Sequence, residues 1–264
     1  MTTGPTDIAA ASSPIFGLML RVADVTEVEA LLDDVPSLLL SASVPYALDE
    51  SMCEPKDVAR LPFLNQRYVG RARPDRIRAA ISALTRVALN HELRLVFGAH
   101  PAISPMVLQA ARDMRAQAKS IVIFQSAVYA GRLAQSTLAL AQWDAGVLIM
   151  TADQKESASS RRNPKSLEFM RKAMVRVPGL LGAVFVGGMQ GVEREAQLFQ
   201  KAHPRKKRYA IASTGSAAES LADDDPNAFR GTLSDPSLLA DMRSYSVVAR
   251  RIVLDLLGPL PIAT

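Results

Sequence analysis

Cysteine is all but absent. Cys53 stands alone among 264 residues, which excludes an intrachain disulfide framework and a cysteine-built metal centre. Histidine is nearly as scarce: His91, His100 and His203 lie far apart and fall into no HExxH-like spacing, so neither a resident metal nor a cofactor is expected. Aromatic residues make up only 5%, too few for the stacking platforms that single-stranded nucleic acid requires. No apolar run approaches the roughly 20 residues of a membrane span. IFGLML is too short for a signal core and no basic region precedes it, so a cytoplasmic protein without membrane contact is expected. Charge of one sign is also lacking. The net charge is +5 with 22% charged residues, and both signs are interspersed, which suits anionic small ligands but not a nucleic-acid surface. The basic runs PRKKR (204–208) and SSRR (159–162) read as solvated loops, and Trp143 and Cys53 as packing residues.

What is present is a rhythm. After a small, polar arm (1–14), IFGLMLRV is compatible with a strand or a short helix, and the pattern does not decide. VTEVEALLDDV has the apolar spacing of a helix of about three turns. Short apolar runs then alternate with amphipathic ones. Strands are expected at 36–46, 93–97, 120–125, 146–150, 182–186 and 208–213, and helices at 74–90, 104–118, 164–177 and after the glycines at 187–191. The region 216–264 reads as a helical turn, an acidic loop and a C-terminal helix containing SVVARRIVLDLL. Continuous apolar strands separated by helices imply a doubly wound α/β fold with a mainly parallel sheet. Its ligands bind at the carboxyl ends of the strands.

Four of those strand ends are rich in small residues. In LVFGAHPAISP, Gly98 follows the strand and Ser104-Pro105 fits an N-cap and first helical position, where free amides and the helix dipole favour phosphate. His100-Pro101 lies between them, with His100 either structural or functional. In VGGMQGVEREAQLF, Gly187, Gly188 and Gly191 around Met189 let the backbone approach a ligand, although GGMQG is not the dinucleotide GxGxxG. Ser213, Thr214 and Gly215 follow the last strand and either cap a helix or reach phosphate and ribose. Ser41 and Ser43 end the strand in SASVP. Together they outline a ligand-binding crevice.

Two charges fall on apolar faces. At 100° per residue, Val192, Ala196 and Phe199 form one stripe and Glu195 lies within it. In the preceding helix, Leu167, Met170 and Met174 form the stripe, and Arg171 lies within that one. An Arg171–Glu195 ion pair satisfies both and is expected to keep Glu195 ionised. It serves either a site or a buried structural bridge.

MRKAMVRVPGLLGAVFVGGMQGVEREAQLF resembles the core of the SLOG superfamily, the Smf/DprA–LOG group with the lonely-guy phosphoribohydrolases. Arg171 and Lys172 match its RK pair and Met174 the methionine that follows. Gly187, Gly188 and Gly191 match its glycines, and Glu195 its glutamate. In those enzymes the arginine and glutamate serve catalysis and the glycine loop holds the nucleotide phosphate. The likeness extends to LSASVP, VFGAHPAISP and ASTGSAA, the motifs of a bacterial conflict-system subgroup. It covers approximately 36–220, with 1–35 as an N-terminal arm and helix and 221–264 as a helical extension of the same domain. Val186 stands where the hydrolases have proline and Val192 where they have threonine, and the loop is one residue longer. These departures touch the hydrolase site more than phosphate binding, which rests on backbone amides.

The resemblance implies a binder or sensor of a nucleotide-derived ligand, NAD, ADP-ribose-like or a nucleoside phosphate, in bacterial conflict or antiphage defence. It also implies a homo-oligomer and a TIR-type or other defence effector encoded separately. The alternative is an N-glycosidase in which Glu195 orients water and Arg171 positions the substrate. Nucleic-acid binding, known among SLOG relatives, fits the low aromatic content poorly.

Overall fold

The computed structural model describes residues 18–45, 68, 70–154, 164–241 and 244–258. The arm at 1–14, the start of IFGLMLRV, Cys53, most of the loop after 46 and the run at 159–162 lie outside the described residues.

Seven strands form one sheet, β1 (Leu18–Val22), β2 (Ser37–Ser43), β3 (Arg94–Gly98), β4 (Ile121–Ser126), β5 (Gly146–Thr151), β6 (Leu180–Gly187) and β7 (Lys207–Ile211). Their order is β1-β5-β4-β3-β2-β6-β7 and every pairing is parallel. The helices are α1 (Glu27–Leu31), α2 (Pro74–Asn90), α3 (Ser104–Asp113), α4 (Gln135–Gln142), α5 (Pro164–Met174), α6 (Gln190–Ala202), α7 (Ser216–Asp224) and α8 (Tyr245–Leu257). The period-2 pleat sorts the strand residues between two cores. Leu38, Leu40, Phe97, Ile123 and Val186 pack with α2, α3, α4 and α8. Leu39, Val96, Phe124 and Phe185 pack with α1, α5, α6 and α7. Sheet strands buried on both faces need continuous apolar sequence, as SLLL and AVFV supply.

From β2 the chain steps outward through β3, β4 and β5, then returns across β2 to place β6 on its other side. The switch point of this doubly wound sheet therefore lies between β2 and β6, with Ser43 opposite Gly187 at the carboxyl edge.

The described part of IFGLMLRV, Leu18–Val22, is an edge strand paired with β5. Helix α1 is shorter than three turns. Pro36 disfavours helix at Val35, and the Asp33 carbonyl instead accepts bonds from the Val35 amide and the Arg94 guanidinium. Helix α3 stops at Asp113, short of the expected 118. Arg115 turns to φ 50 and the Ala116 amide reaches back to the Ala111 carbonyl, a Schellman ending built without glycine. The irregular stretch before β5 contains a 3₁₀ turn (Ala127–Arg132) and α4.

Helix α8 crosses back onto α2 and is tied down by Asp255. That carboxylate accepts from Tyr209 Oη at 2.6 Å, Lys207 Nζ at 2.9 Å, the Thr232 amide at 2.9 Å and the Thr232 hydroxyl.

Candidate functional site

At the carboxyl edge, the ends of β2, β3 and β4 and the start of α6 surround a cavity of about 390 Å³, which Gly187 and Gly188 do not line. Helices α5 and α6 close one side of it. The turn from β6 into α6 depends on glycine. Gly187 and Gly188 have φ of 56° and 88°, and a Cβ on Gly188 would lie 2.2 Å from the Val192 side chain. This forces the chain from strand to helix within two residues. The Val192 and Glu193 amides already bond the Met189 carbonyl, whereas those of Gln190 and Gly191 have no helical acceptor behind them and stand at the positive end of the helix dipole. Met189, Gln190 and Gly191 at this start line the cavity.

Strand parity places Ser41 on the same face as Leu39, under α6. Its hydroxyl donates to Glu195 Oε2 at 2.6 Å. Arg171 Nε donates to Glu195 Oε1 at 3.3 Å, and the two side chains retain 19% and 13% of their surface. This is an interior pair, unlike the exposed Arg194–Glu168 bridge that links the same two helices at the surface. Arg171 also leans over the helix start, since a Cβ on Gly191 would lie 2.9 Å from its terminal nitrogen.

Arg171 favours the ionised form of Glu195, the direction expected of it, but it is not the dominant influence. Burial pushes the Glu195 carboxyl up, and Arg171 and Ser41 offset this only in part, so its pKa stands above the usual glutamate value. Desolvation outweighs the partner because the pair sits beneath α6 against the sheet.

The β3 loop is organised differently from the reading of Ser104 as N-cap. Ile103 is the N-cap and Ser104 is the first helical residue. His100 satisfies the turn instead: its Nδ1 accepts the Ala102 amide at 3.2 Å, and its carbonyl accepts the amides of Ile103 and Ser104. The start of α3 thus has its donors occupied. Buried Ser104 bonds the His100 carbonyl and the Thr137 hydroxyl, away from the cavity lining. Gly98, His100 and Pro101 do line the cavity, as do Ser43, Arg171 and Glu195.

Ser213, Thr214 and Gly215 do not line it. Thr214 Oγ1 accepts the Gly187 amide at 2.8 Å and donates to the Ile211 carbonyl at 2.6 Å, bracing the glycine turn from behind. The Ser213 hydroxyl accepts from Tyr245, and Gly215, at φ 77°, packs against the Arg71 backbone. Gln125, Tyr129 and Arg132 line the cavity from β4 and the turn after it. Nothing in the sequence marks them, since 126–134 shows neither helical nor strand period.

Among the described residues no group of three His, Cys, Asp or Glu could hold a metal ion, and no helix is long and apolar enough to cross a membrane.

An all-parallel doubly wound sheet with its crevice at the switch point defines a Rossmann-like α/β fold, a class in which ligands bind at the carboxyl ends of the strands. Within that class the chain has a specific kinship. The model of the SLOG cluster3 family matches residues 67–245, well over half of its length, and the chain belongs to that family. No curated protein matches it.

Proposed function

We propose that this protein binds and senses a nucleotide-derived ligand, a nucleoside phosphate or a molecule of the NAD or ADP-ribose type, in the crevice between the ends of β2, β3 and β4 and the start of α6. Membership of a SLOG family fits the binding or processing of a nucleotide-related ligand. The observation that carries the reading is the start of α6, where backbone amides and the Arg171 guanidinium converge on one side of the cavity. That combination suits a phosphate, because donors and positive charge are already in place before the ligand arrives. The volume falls within the ~300–1,000 Å³ of small-ligand sites. Ligand occupancy would act by shifting a homo-oligomer, or a TIR-type or other separately encoded effector, between states in bacterial antiphage defence.

A second reading is supported by Glu195. A glutamate that lines a ligand cavity and holds its proton more tightly than usual is suited to general acid or base work. On that reading the protein cleaves the base–ribose bond of a nucleotide, Glu195 handling the proton and Arg171 positioning the substrate.

Incubation with AMP, NAD and ADP-ribose, followed by calorimetry and by chromatography of free base, tests both. Saturable binding without base release supports the sensor. Base release by the wild type and not by Glu195→Gln supports the hydrolase. Absence of binding by all three refutes both readings.

A further inference from the structure

Across β2 from α6, the crevice is walled by the ends of β3 and β4, and four polar side chains line it there: His100, Gln125, Tyr129 and Arg132. Two of them are fixed as donors by the backbone. Gln125 Oε1 accepts the Ser126 amide at 2.9 Å while its Nε2 donates to the Ala99 carbonyl at 3.2 Å, which leaves one N–H over. His100 uses Nδ1 as an acceptor, so the neutral ring carries its proton on Nε2. Burial lowers the His100 pKa and favours that neutral form. Among the described residues neither His100 Nε2 nor the Arg132 guanidinium has a partner. The cavity lining holds one carboxylate among the described residues, Glu195, and Arg171 and Ser41 already occupy it. Among the described residues, this wall therefore offers N–H donors at His100, Gln125 and Arg132, and no carboxylate pairs with Arg132. A ligand that fills the crevice meets acceptor-seeking groups at both ends.

We propose that the β3–β4 wall binds a second phosphoryl group, so that the preferred ligand is a nucleotide with two linked phosphates and Arg132 selects it over a nucleoside monophosphate. This rests on the nucleotide reading above. The first phosphate sits at the start of α6 beside Arg171. The second reaches toward Arg132, with His100 and Gln125 supplying the neutral N–H donors that fix its position. Arg132 is exposed, so its replacement leaves the fold intact.

The test is calorimetric titration of the wild type and Arg132→Gln with AMP, ADP and ADP-ribose at low and high salt. The wild type is expected to bind ADP and ADP-ribose more tightly than AMP. Arg132→Gln is expected to lose about ten- to hundredfold in affinity for the two diphosphates and less than about twofold for AMP. That selective loss should shrink as salt screens the rim charge. Equal losses for all three ligands, or no loss for any, overturn the second-phosphate subsite while leaving the nucleotide reading in place. An effect on ADP-ribose without one on ADP also overturns it, because the contact would then be to the distal ribose. A wild type that binds none of the three overturns both.

Discussion

Asp255→Asn is expected to destabilise the fold by an amount that follows from its surroundings. Burial pushes the Asp255 carboxyl up, but hydrogen bonds from Thr232, Tyr209 and Lys207 outweigh burial and hold its pKa at about 2, against an ordinary 3.8. At ~1.36 kcal/mol per pH unit, that separation stabilises the folded protein by roughly 2 kcal/mol when the group is ionised. The folded pKa lies below the unfolded one, so this contribution is complete well above pH 4 and is lost as the pH falls through 2. By pH 3 roughly 1 kcal/mol of it has gone. The asparagine variant lacks it at every pH and also turns an amide N–H₂ toward groups that are themselves donors. Urea unfolding followed by circular dichroism measures the gap. At pH 7 a loss of roughly 2 kcal/mol or more corresponds to a midpoint lower by about 1 M urea, for a slope of roughly 2–3 kcal/mol/M. At pH 3 the gap should narrow by roughly 1 kcal/mol. A gap that stays constant or widens on acidification would refute the assignment of this stability to the ionised carboxylate.

Three other outcomes follow from the crevice. Glu195 holds its proton more tightly folded than unfolded, so its charge costs stability as the pH rises through its raised pKa; Glu195→Gln should therefore gain thermal stability relative to the wild type at pH 7 but not at pH 4. A larger deficit at pH 7 than at pH 4 would contradict this. Gly188→Ala places a methyl 2.2 Å from Val192 in a left-handed backbone and should lower stability by roughly 2–4 kcal/mol in chemical denaturation. Gly98→Ala, whose Cβ would meet only Met170 at 3.8 Å, should leave the melting temperature unchanged while weakening nucleotide binding in calorimetry, because the added methyl projects into the lining.

The features of this site that repeat with a structural period were legible in the sequence. A 100° wheel places Arg171 and Glu195 inside apolar stripes, and they meet at 3.3 Å. The glycines after β6 were equally visible, because only a positive φ or a close approach requires them there. Side-chain direction within a loop was not legible. Ser213-Thr214-Gly215 reads the same whether its hydroxyls face a ligand or the backbone, and Thr214 faces the Gly187 amide. His100 likewise replaces the cap that Ser104 was expected to provide, through a ring contact that no spacing rule records. Arg132 and Tyr129 were hidden by the 3₁₀ turn that carries them, whose six residues include none that is buried. Strand Leu18–Val22 was ambiguous because its local pattern fits two structures, and its pairing with β5, well over a hundred residues later, decides between them.

Strand β2 is made early, yet one of its two neighbours is β6. Ser41 and Glu195 are separated by 154 positions along the chain, and everything between them must leave the ribosome before they can touch. Until then β2 has an unpaired edge beside its pairing with β3, the kind of edge that invites wrong partners. A nascent or truncated chain that ends before α6 holds the residues of the β2, β3 and β4 ends but lacks the wall that Gly191 and Glu195 supply. On the reading proposed above, the α6 side of the ligand site is completed late in synthesis, and a nucleotide present during translation stabilises only chains that have already passed residue 195.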